Sequence, residues 1–227
     1  MGRKYNSLLF DLDDTLLEYS SQELNFALNI LKNHALPCTP DVAEVFLEIN
    51  DWHTFELGRI ITVFDVVTNR FSILLKILEV EENIAYHLKK EFFEMMSACH
   101  KLKKGALKTL RYLKEQNYKL YITTNGYPEF QYRRIKSSRI QNFFDGIFIS
   151  EEIGYQKPSP MFFNYVAGHI PESSRSRMLI IGDAPTADIL GGINARIDTC
   201  FINNDGKVCR YKYTYKIERI DQLINLL

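Results

Sequence analysis

About eighty residues, roughly 18 to 99, separate the first strand-length apolar run of this chain from the second, and they hold no convincing strand pattern. A plain connection between neighbouring strands needs far less chain, so the interval predicts an inserted structure of its own. Its apolar residues recur at helical spacing: Leu24, Ala27, Leu28 and Leu31; Val42, Val45, Phe46 and Ile49; Val66, Val67, Leu74, Ile77 and Leu78; Ile84, Leu88, Phe92, Met95 and Cys99. A helical bundle is expected there.

The remainder has a different texture. Short apolar runs at 7–10, 119–123, 147–149, 178–181 and 199–202 read as strands, and the later ones alternate with helical patterns. Leu107, Leu110 and Leu113 share one helix face, and Ser159-Pro160 reads as an N-cap followed by proline at the first helical position. Fully buried strands separated by helices predict an α/β fold, a Rossmann-like parallel sheet flanked by helices. The expected domains are an α/β core over 1–17 and 100–227 and an inserted helical cap over 18–99.

Composition removes several function classes. Lys plus Arg and Asp plus Glu both number 28 in 227 residues, so no global field holds a nucleic-acid polymer or an anionic membrane, and any bound anion must be held locally. The cysteines Cys38, Cys99, Cys200 and Cys209 form no CxxC pair and have no zinc-like spacing with histidine, which favours a reducing compartment. No apolar stretch approaches a membrane span, and the opening residues reach Asp11 before a signal-peptide core could form. A Met-Gly start is followed by Asn6 where a myristoylation signal wants Ser or Thr. The expected location is the cytoplasm.

Unusual residues sit at four strand ends. The first strand ends in Asp11-Leu12-Asp13-Asp14-Thr15, the second in Thr123-Thr124-Asn125-Gly126 and the fourth in Gly182-Asp183, with Asp188 five residues on. Lys157 follows the third, in Gly154-Tyr155-Gln156-Lys157-Pro158. In an open parallel sheet such ends face one crevice, where Asp11, Asp13 and Asp183 would repel one another unless a cation or proton intervened. A hard divalent cation with oxygen ligands, Mg2+ above all, is the simplest resolution. The same set suits a phosphate, neutralised by the metal and Lys157 and hydrogen-bonded by Thr124 and nearby amides. Asp11 then reads as a nucleophile forming an aspartyl-phosphate, with Asp13 as the acid that protonates the leaving alkoxide and later takes a proton from water.

Taken in order, DLDDT at 11–15, TTNG at 123–126, Lys157-Pro158 and GDxxxxD at 182–188 resemble the four motifs of the haloacid dehalogenase (HAD) superfamily, with an insertion placed like its helical cap. Trp52, Phe55, Glu56, Gly58 and Arg70-Phe71, with the segment from Ser150 to Pro158, further resemble the YjjG-like pyrimidine 5'-nucleotidase branch. The resemblance implies Mg2+ held by the Asp11 carboxylate, the Asp13 backbone carbonyl and Asp183, with Asp188 near its waters. It also implies phosphate held by Thr124, Asn125, Gly126 and Lys157. Ala184-Pro185 and Arg196, the latter at a turn position often occupied by glycine, depart from the pattern without replacing a proposed catalytic group.

The expected activity is Mg2+-dependent phosphomonoester hydrolysis on a small phosphorylated metabolite, a nucleoside monophosphate first, by a monomer or dimer. Another sugar or small-metabolite phosphatase of the phosphoglycolate or N-acylneuraminate type, and a phosphomutase, share this catalytic shell. A 2-haloacid dehalogenase would need neither Asp13 nor Asp183, and a non-catalytic binding protein would not need the nucleophile. Taken singly, each motif has a plainer reading: a solvated turn for 11–14 and 123–126, a surface charge for Lys157, helix N-terminal electrostatics for Asp188. In the insertion Trp52 and Phe64 read as core before substrate platform, and His53, Arg59 and Asn69 as surface before functional positions. The insertion is expected to open and shut over the site.

Overall fold

The computed structural model of the chain describes residues 4–56, 63–171, 174–203 and 206–227, with side chains described outside 50–68. Two compact units emerge: Met1–Glu18 with His100–Pro128 and Ile135–Leu227, and Tyr19–Cys99 with Glu129–Arg134.

The first unit is an α/β sandwich around six strands: β1 (Ser7–Phe10), β2 (Lys119–Thr124), β3 (Gly146–Ile149), β4 (Met178–Gly182), β5 (Asp198–Ile202) and β6 (Tyr215–Ile217). Every pairing is parallel and the order is β3-β2-β1-β4-β5-β6. Alternation along each strand divides the core into two layers. Leu8, Phe10, Leu120, Ile122, Leu179 and Ile181 pack on one face with Leu110 and Leu113. Leu9, Tyr121, Met178 and Ile180 pack on the other with Phe162 and Phe163. Strands covered on both faces carry continuous apolar runs, which is why β1 and β4 stand out in the sequence. The edge strand β6 does not: it is three residues long, only Ile217 is buried, and its pairing with β5 defines it.

The second unit is built on α1 (Ser20–Asn33), α2 (Pro40–Glu56), α3 (Val63–Ile77) and α4 (Ala85–Ser97). Ala27, Ile30, Leu31, Phe46, Leu74, Leu88 and Met96 fill its core. Phe46, Phe71 and Phe92 meet there with ring centroids 5.4–6.3 Å apart. Arg70 is buried against this trio, donates to Glu23 Oε1 at 2.7 Å, and lays its guanidinium over the Phe46 and Phe92 rings. Glu23 also accepts from the Tyr19 hydroxyl at 3.0 Å. Arg70-Phe71 is therefore part of the helical core. Asn69 is exposed, whereas Trp52, His53, Phe55, Glu56, Gly58, Arg59 and Phe64 lie outside the described side chains.

Two further segments complete the two units. Where the chain leaves the sheet unit and where it returns, the backbones pair antiparallel: Glu18 N–H donates to Lys101 O at 2.8 Å and Lys103 N–H to Leu16 O at 2.9 Å. In the 101–104 lysine cluster, Lys101 pairs with Glu18 and Lys103 approaches Asp14. After α5 (Ala106–Glu115) and β2 comes α6 (Pro128–Ser137), whose residues 129–134 group with the helices. There Phe130 packs against Tyr19 and Phe93, and Arg134 Nε donates to Cys99 O at 3.2 Å. No helix among the described residues is long and apolar enough to cross a membrane.

Candidate active site

The sheet reverses its winding at β1. The chain moves from β1 to β2 and β3 on one side, then returns to place β4 on the other. A crevice forms beyond the carboxyl ends at such a point. Asp11 follows β1 directly, and its N–H donates to Ile181 O at 2.9 Å, so the register of β1 against β4 sets its side chain beside Asp183. Beyond Asp11 the chain folds back on itself: Leu16 and Leu17 N–H both donate to Leu12 O at 2.9 Å, and Asp14 adopts a left-handed φ of 55° that aspartate tolerates. This turn sends the Thr15 hydroxyl to Asp183 Oδ1 at 3.3 Å.

Lys157 arrives on a short spacer between two helix ends. The turn α7 (Ser150–Ile153) closes on Gly154 at φ 77°, where glycine meets the backbone requirement. Ser159 then accepts from Met161 N–H as the N-cap of α8 (Pro160–Gly168), with Pro160 at its start. The Asn125 side chain clamps the spacer in a reciprocal pair: its Nδ2 donates to Lys157 O at 3.0 Å, and Lys157 N–H donates to Asn125 Oδ1 at 2.9 Å. Gly126 N–H donates to Ser150 Oγ at 3.1 Å, and Thr124 Oγ1 donates to Asn125 O at 3.2 Å. In this structure Asn125 and Gly126 thus fix the β2 and β3 loops to each other.

Asp188 enters from a π-helical turn, Pro185–Leu190, that precedes α9 (Gly191–Ala195). The wider turn lets Asp188 Oδ2 accept from Ala184 N–H at 3.1 Å. Its carboxyl lies so close over Gly182 that a Cβ there would fall within it. Gly191 and Gly192 are packing positions: a Cβ would meet Phe163 in one case and the Thr199 methyl in the other. Arg196 takes the left-handed φ of 57° that its glycine-like turn position demands.

The structure thus brings Asp11, Lys157, Asp183 and Asp188 together. Lys157 Nζ donates to Asp11 Oδ1 and to Asp188 Oδ1, both at 2.7 Å, with all three side chains buried. Carboxylate oxygens of Asp11, Asp183 and Asp188 lie within 4.8 Å of one another. Asp13 is half-buried and outside that mutually close group, though near enough to add to the acidic field on Asp11. A cation missed by sequence reasoning also appears: Lys207, in the loop after β5, donates to Asp183 Oδ2. Nothing in its local sequence marks it, since only the folded loop brings it to Asp183.

Burial first, and then Asp188, Asp183 and Asp13, hold the Asp11 carboxyl well above its ordinary range against the pull of Lys157. Burial likewise pushes Asp183 up to about 6, opposed by Lys207 and reinforced by Asp188. Burial works against the Lys157 ammonium, yet Asp11 and Asp188 outweigh it and hold it above the ordinary lysine value. Three acids crowd a volume holding two ammonium groups, an arrangement that added positive charge would stabilise. The donor set is hard and all-oxygen, which fits a divalent cation such as Mg2+.

The family model for haloacid dehalogenase-like hydrolases matches residues 8–202. YfnB of Bacillus subtilis, bearing the name of a HAD-hydrolase, is 38% identical over 99% of this chain and 96% of its own. A magnesium-bound crystal structure of YfnB superposes with a TM-score of 0.88 at 39% identity, covering 99% of both chains. The pyrimidine 5'-nucleotidase PynA of Streptococcus pneumoniae is 33% identical over 88% of this chain and 84% of its own. The pyrimidine 5'-nucleotidase YjjG of Escherichia coli is 30% identical over 88% of this chain and 87% of its own.

Proposed function

The chain belongs to the haloacid dehalogenase-like hydrolase family, and on that premise we propose that it hydrolyses phosphomonoesters through an aspartyl-phosphate on Asp11, with nucleoside monophosphates as its substrates. One observation carries the phosphatase reading: a buried lysine bridges two of three mutually close carboxylates where the sheet reverses. The nucleotide preference rests on the similarity to PynA and YjjG.

Asp11, Asp183 and Asp188 would hold Mg2+ through their carboxylates, and Asp13 through its backbone carbonyl as the family resemblance implies. When bound, the ion neutralises phosphoryl oxygens and lowers the repulsion that an attacking carboxylate meets. Asp11 supplies the attacking oxygen, and the bond from phosphorus to the ester oxygen breaks. Lys157 spreads its charge over the incoming phosphoryl group from a position locked by Asn125. The Asp13 carboxyl gives its proton to the departing alkoxide and then receives one from the water that frees phosphate and regenerates Asp11. Thr124 lines the same strand end.

The test is a panel of nucleoside monophosphates and sugar phosphates, with Mg2+ and with EDTA. Pyrimidine nucleoside monophosphates should be cleaved fastest and only with Mg2+; sugar phosphates cleaved equally well would remove the nucleotidase reading. Asp11→Asn should release no phosphate while keeping the wild-type circular dichroism spectrum. Asp13→Asn should slow turnover by about 10²–10⁴-fold, the range typical of a lost general acid and base.

A further inference from the structure

Among the described residues of the charge cluster, Lys207 lies outside every sequence motif. It lies between β5 and β6, and its backbone carbonyl is held by Asn203 Nδ2 at 3.0 Å. From there its ammonium reaches Asp183, whose carboxyl is buried and also receives the Thr15 hydroxyl. Lys157 is bonded to Asp11 and Asp188, so the two lysines divide the acids between them. They differ in setting. The Lys157 side chain is buried, whereas that of Lys207 is 39% exposed and stands at the solvent edge of the cluster.

Building on the cation-site reading above, we propose that Lys207 is a resident counter-cation of Asp183, which competes with the divalent ion for that carboxylate and so sets the affinity of the cluster for metal. In the metal-free chain the ammonium offsets the charge of a carboxylate crowded by its neighbours. A divalent ion brings twice that charge to the same oxygens, and Lys207 leaves Asp183 with its proton retained. Metal affinity is the difference between two ion-pairing states, and removing the lysine raises it.

Isothermal titration of the full chain with MgCl2, together with melting in EDTA, tests this. Lys207→Gln should bind Mg2+ about tenfold more tightly, as expected for loss of one charge-assisted hydrogen bond from the competing state. The same variant should melt below wild type in EDTA and regain at least the wild-type melting temperature in Mg2+. Lys207→Arg retains the cation and should keep wild-type affinity, as should Lys212→Gln, which removes the same charge from an exposed position on the loop. Equal or weaker Mg2+ binding by Lys207→Gln overturns the proposal, and so does an equal gain in Lys212→Gln, which would trace the effect to net charge. Absence of any Mg2+ binding by wild type overturns the cation-site reading itself, and this proposal with it.

Discussion

Asp11 and Asp183 sit where burial and neighbouring acids both oppose ionisation. A carboxyl whose value is higher folded than unfolded binds its proton more tightly in the native state. Its contribution to stability is complete below the unfolded value and disappears as pH rises through the folded one. For Asp183 the window runs from 3.8 to about 6, and Asp11 acts in the same direction. In EDTA the protein should therefore lose a few kcal/mol of stability between pH 4 and 7 from these groups. Saturating Mg2+ should offset that loss, so its gain in melting temperature should grow with pH across the window. Calorimetry at several pH values, with EDTA and with Mg2+, checks both; a Mg2+ gain independent of pH would contradict the assignment. Asp11, Lys157 and Asp183 stand out in the sequence because each is a charged residue just beyond a strand-like or loop-like break. Asn125 stands out too, but its reciprocal bond to the Lys157 backbone does not, because that pairing spans 32 residues.

Elements deliver these groups with little tolerance, and Gly182 is the clearest case. As the last residue of β4 it lets the Asp188 carboxyl approach the backbone from the π-helical turn. Gly182→Ala should cost about 1–3 kcal/mol, the usual range for overpacking a buried position, and should weaken Mg2+ binding by displacing Asp188. Urea unfolding with an unchanged m-value, together with Mg2+ titration, measures the two effects. The central strands and α8 are legible from residue patterns, since their burial and the Ser159-Pro160 cap are local properties. The π-helical turn is not: the Ala184–Asp188 contact that accompanies it involves a side chain whose position depends on Lys157. β6 is a strand by virtue of β5 and carries too little buried surface to announce itself.

At the level of the whole molecule, every residue of the candidate site belongs to the α/β unit, while the helical unit has its own aromatic core and a buried Glu23–Arg70 ion pair. A ligand of the site should therefore stabilise the two units unequally. Mg2+ should slow amide exchange across residues 7–17 and 178–190 and leave α1 and α4 close to their metal-free rates; uniform slowing would count against a cation site confined to the sheet unit. The sequence by itself determined the alternation of strand and helix, the long helical interval after β1 and the residue types at the strand ends. Periodicity and strand-end position are short-range properties that survive without a fold. Only the tertiary structure decided that Lys157 would bridge Asp11 and Asp188, that Asn125 would hold the lysine loop, and that Lys207 would face Asp183. Those contacts join residues 24 to 146 positions apart. Their energies arise from desolvation and charge crowding that exist only once the sheet has closed its switch point.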